Sequence, residues 1–83
     1  MAVSKEELNL TKRLVNLARG RGYRDEDIEV LIMLSCEKSM VKRFGSSMQA
    51  TVEILKYCQE SKDQEECFAK IFDLLGIEKH YSV

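Results

Sequence analysis

From Leu10 to Leu75 the apolar residues recur at three- and four-residue intervals, and no proline interrupts them anywhere in the chain. That spacing belongs to amphipathic helices; strands alternate apolar and polar positions. The punctuation agrees. Ser4 with Glu7 and Ser46 with Gln49 have the spacing of capping boxes, and Ser61 with Gln64 or Asp63 with Glu66 marks a third start. Asp25, Glu26 and Asp27 put negative charge where a helix N-terminus favours it. Gly20, Gly22, Gly45 and Gly76 stand where helical runs stop.

These signals predict four helices, over 4–19, 25–44, 47–61 and 64–75. The fold class is an all-α, four-helix bundle-like single domain over 1–83, with its core in 4–77 and a flexible tail at 78–83. A break at Glu37-Lys38-Ser39 would split the second helix and make five. That helix is apolar on most sides, through Ile28, Val30, Leu31, Ile32, Leu34, Met40, Val41 and Phe44, and is expected to be the central one. In the last helix Phe68, Ile71, Phe72 and Leu75 form the cleanest stripe, so Phe72 is expected deep in the core. Ile77, just past Gly76, is expected to pack back on Phe72.

Chemistry has little foothold here. The chain has 83 residues, one histidine and three cysteines, and lacks a glycine-rich phosphate loop or a nucleophile elbow. No cofactor, metal site or enzymatic activity is expected. Zinc would need closely spaced ligand pairs, and His80 and Cys36 are poorly placed to complete a set with Cys58 and Cys67. The three cysteines are expected to be reduced, small, buried apolar residues. The first residues have no signal-peptide core, and the longest uncharged apolar stretch is Val30 to Cys36. A cytoplasmic protein, without a membrane or a small-molecule substrate, is the expectation.

Charge is nearly balanced. Residues 1–45 carry nine Lys/Arg and seven Asp/Glu, a net +2; residues 46–83 carry four Lys and seven Asp/Glu, a net −3. General polyanion binding is not favoured at an overall charge of −1. What remains is a surplus of apolar residues for so small a shell. Val30, Met33, Met40 and Met48 are the candidate partner-interface residues, and methionines suit adaptable contacts. The primary reading is a non-enzymatic interaction protein that binds another protein or itself as a homodimer.

A second reading rests on residues 40–56. The Lys42-Arg43-Phe44-Gly45 turn and the later Ala50-Thr51-Val52 resemble a bacterial helix-turn-helix, which implies a small DNA-binding regulator. The match departs at Ser46, which follows the turn glycine where an apolar residue is usual. Arg19, Arg21, Tyr23 and Arg24 form a basic, aromatic loop that could hold phosphate and stack on a base. With Lys42, Arg43 and Gln49 these are the candidate nucleic-acid contacts. The bundle alternative for the same loop is a helix end neutralised by arginines, with Tyr23 packed against the next helix. Gly22-Tyr23 is also similar to the Gly-aromatic turn of ubiquitin-associated domains, although Arg21 stands where those domains have Met.

Overall fold

In the computed structural model, residues 4–76 are described, and they form five helices. The helices are α1 (Lys5–Gly20), α2 (Asp25–Ser35), α3 (Lys38–Phe44), α4 (Ser47–Glu60) and α5 (Gln64–Leu75). The all-α single domain is as expected. The continuous helix over 25–44 is not, because the chain breaks at residues 36 and 37. The cause is local. Ser35 turns its hydroxyl back onto the Ile32 carbonyl at 2.6 Å, ending α2. Glu37 then adopts an extended backbone and its carboxylate accepts the Ser39 and Met40 N–H groups at 2.8 and 3.4 Å. A carboxylate at the N-cap satisfies donors that a new helix would otherwise leave open.

The other starts follow the capping boxes. Ser4 accepts from Glu7 N–H and Ser46 from Gln49 N–H, both at 3.1 Å. Of the two options for the last helix, Asp63 is the cap; it accepts from Glu66 N–H at 2.9 Å, while the Glu66 side chain reaches back to the Lys62 N–H. Helix α1 ends in a Schellman motif. Tyr23 N–H bonds to the Ala18 carbonyl and Gly22 N–H to that of Arg19, both at 3.0 Å. This needs a left-handed residue at position 22, and Gly22 has φ 87°. The turn swings Tyr23 inward, into the core that also holds Ala18.

The core joins Leu14, Ile28, Leu31, Met40, Ile54 and Ile71 with the small residues Ala18, Ala50, Cys58 and Cys67. Helix α4, not the second helical segment, is central: α1, α2, α3 and α5 all pack on it. Its inward side carries Ala50, Thr51 and Cys58, and small side chains let neighbouring helices approach closely. Helix α2 buries only Ile28, Leu31 and Ser35 and turns Val30 and Met33 outward. Two further expectations are corrected. Cys36 is exposed, because it caps the end of α2. Phe72 is only half-buried, because α5 is rotated so that Cys67 and Ile71 point inward. The tail at 78–83, His80 and the expected contact of Ile77 with Phe72 lie outside the described residues. No helix of the described residues is long and apolar enough to cross a membrane.

Candidate functional site

Helices α2 and α5 each pack on α4 but not closely on each other. A groove of about 600 Å³ lies between them. One end is tied by the Gln64 side chain, which donates from Nε2 to Asp27 Oδ2 at 2.9 Å and accepts the Arg24 backbone N–H at 3.4 Å. The apolar lining is Val30 from α2 and Phe68, Ala69 and Phe72 from α5. Phe68 and Phe72 are one helical turn apart and each follows a buried residue, Cys67 or Ile71. Their stripe is therefore displaced from the buried one by a single residue, which leaves the rings at the edge of the core. The two rings pack tilted, with centroids 5.8 Å apart, within the range aromatic pairs favour. Met33 follows Val30 by three positions, on the same side of α2, and is 69% exposed.

Among the described residues the polar lining is Asp27, Gln64 and Glu65, two carboxylates and no cation. Arg24 lies outside, with its Nε 3.0 Å from Asp27 Oδ2. Among the described residues no group of three or more His, Cys, Asp and Glu side chains is arranged to hold a metal.

The structure divides the four sequence candidates for an interface. Val30 lines the groove and Met33 stands beside it. Met40 is a correction: it is fully buried under α3 and offers nothing to a partner. Met48 is half-buried at the start of α4, outside the groove. Sequence reasoning missed Phe68, Phe72, Asp27, Gln64 and Glu65 as site residues. The available signal was the rival spacing Cys67, Ile71, Leu74, which also fits a helical face.

The seven candidate nucleic-acid residues are not brought together. Tyr23 is corrected to a core residue, 5% exposed, so its ring cannot stack on a base. Its hydroxyl is buried without a hydrogen-bonding nitrogen or oxygen, beside the Cys58 and Cys67 thiols. Burial pushes the Tyr23 hydroxyl far above its usual range, raises the Cys58 thiol, and pushes the Cys67 thiol up to about 11. Arg19 pairs with Asp25 at 3.5 Å and Arg24 with Asp27. Arg21 reaches across to the end of α4, donating to the carbonyls of Gln59 at 3.1 Å, Lys62 at 3.4 Å and Ser61. Lys42 and Arg43 lie near the start of α4, in a shallow depression with Ser39, Leu74 and Leu75. The 14 residues of α4 separate the two basic groups by about 21 Å. Gln49 is exposed on the first turn of α4.

Arg21 thus neutralises the C-terminal end of α4 as well as closing α1. Arg21→Ala is expected to lower stability by about 1 kcal/mol, since charge-assisted bonds to exposed carbonyls are partly replaced by water. Urea denaturation checks it; Lys62→Ala, which removes a nearby charge without these bonds, should be close to neutral.

The Gly22-Tyr23 turn buries its aromatic residue within a five-helix domain, and the likeness to a ubiquitin-associated turn extends no further than that dipeptide. No protein-family model, curated protein or solved structure matches this chain.

Proposed function

We propose that this protein is a non-enzymatic, cytoplasmic interaction module whose working surface is the groove between α2 and α5. The observation that carries this reading is the open apolar lining of Val30, Phe68 and Phe72. Two phenylalanines and a valine left beside solvent contribute less to folding than the same residues would in the core, whereas a partner that covers them gains their full burial. The neighbouring Met33 extends the apolar surface with an adaptable side chain.

A photo-crosslinking residue placed at Phe72, with Lys56 on the exposed side of α4 as control, tests the reading in cells. A discrete protein adduct at Phe72, including a dimer of this chain, and none at Lys56 is the expected result. Adducts confined to Lys56 would move the working surface off the groove, and salt-sensitive DNA binding by the unmodified protein that depends on Lys42, Arg43 and Gln49 would replace the reading with the DNA-binding one.

A further inference from the structure

We infer that the occupant of the α2/α5 groove is a basic amphipathic helix from another protein, not a second copy of this chain. The inference rests on the groove being the working surface and adds the chemistry of what fills it.

Shape comes first. The lining runs from Gln64 to Phe72 on α5, two turns or about 12 Å, and from Asp27 to Val30 on α2. A trough flanked by two helices, with two aromatic rings one turn apart along one wall, matches apolar anchors at i, i+3 or i+4, and i+7 of a third helix. Gln64 closes one end of the trough through its bonds to Asp27 and Arg24.

Charge then separates a foreign helix from a second copy. Among the described residues the lining carries two carboxylates, Asp27 and Glu65, and no cation; the Arg24 guanidinium just outside offsets Asp27, with its Nε 3.0 Å from Asp27 Oδ2, and leaves Glu65 as the lining's net negative charge. Glu26, four residues before Val30, and Asp73, four residues after Ala69, are exposed on the same sides of their helices. A two-fold dimer presents the same patch to itself. It would bring these acidic flanks face to face, and like charges across an interface are unfavourable. Lysines and arginines flanking the apolar stripe of a foreign helix meet those carboxylates with the opposite sign.

The test uses two synthetic helices with leucines at i, i+3, i+4 and i+7, one with lysine flanks and one with glutamate flanks, titrated into the isotopically labelled protein by NMR. The expected result is amide shifts confined to α2 and α5, with the basic helix bound at least roughly tenfold tighter at low salt and losing that advantage as salt rises. Phe72→Ser should abolish these shifts, and Val30→Ser gives a second reading of the same wall should the first variant fold poorly. The double variant Glu26→Lys, Glu65→Lys should reverse the preference. If both helices bind the groove equally, or the acidic one binds better, the basic partner is wrong while the interaction surface stands. If neither binds and the groove amides shift on concentrating the protein alone, the occupant is a second copy. If the groove amides respond to neither peptide nor concentration, both the partner and the interaction surface are overturned.

Discussion

Ile71→Ala is expected to remove a large share of the protein's stability, while Phe72→Ala, one residue away, costs much less. Ile71 is fully buried on the inward side of α5. Its truncation loses transfer free energy and leaves a cavity in a core already rich in small residues, a cost of about 2–5 kcal/mol. A domain this small has roughly 4–12 kcal/mol in total. Phe72 is half-buried and faces the groove. Part of its ring is wet before substitution, and the cost falls to about 1–2 kcal/mol. Urea unfolding of the two variants measures the difference directly, provided the slope against denaturant is unchanged. A larger loss from Phe72→Ala than from Ile71→Ala would mean that α5 is rotated the other way, and the groove would lose its aromatic wall.

The second large effect is alkaline. Cys67 is held up at about 11 by burial, Cys58 is raised by burial, and Tyr23 between them is raised further still. Unfolded, a thiol loses its proton near 8.5 and a phenol near 10. Above pH 8.5 the unfolded chain therefore binds fewer protons than the folded one, and unfolding becomes easier as pH rises. Each shifted group lowers stability by up to about 1.4 kcal/mol per pH unit until its own folded value is passed. Stability should be level below pH 8 and fall by a few kcal/mol between pH 9 and about 11. Cys67→Ala should flatten part of that fall. Denaturant midpoints equal at pH 7 and pH 10.5 would show that these three groups are not as dry as the fold makes them.

Helix existence was legible because it is written locally. Ser4, Ser46 and Asp63 start helices, and Gly22, Gly45 and Gly76 follow their ends, each by a few hydrogen bonds within its own segment. The break before α3 was only an alternative, since Glu is not a favoured N-cap and neither glycine nor proline marks the place. What the sequence concealed was rotation and rank. Two faces of α5 fit the helical period, one centred on Phe68 and Phe72 and one on Cys67 and Ile71. Counting hydrophobic size favours the first, whereas close packing against α4 selects the second. The same preference for size made the second segment look central, when the smaller side chains of α4 are what let four helices gather round it. Arg21 read as a surface cation because its partners are backbone carbonyls some 40 positions away, which no spacing rule anticipates.

Because α4 is the hub and α1 is among the helices packed on it, the order of assembly is constrained. Helix α1 cannot complete its contacts until the chain between residues 20 and 47 has looped back, and that loop must be closed against its conformational entropy before the contacts return anything. Neighbouring pairs such as α3 with α4 and α4 with α5 join across only a few residues, so they can form early and act as a template. Mutations at Leu14 or Ala18 therefore report where that docking falls: before the barrier they slow folding, after it they speed unfolding. Of the helix pairs packed in this domain, α1 on α4 is the one whose closure chain entropy opposes most.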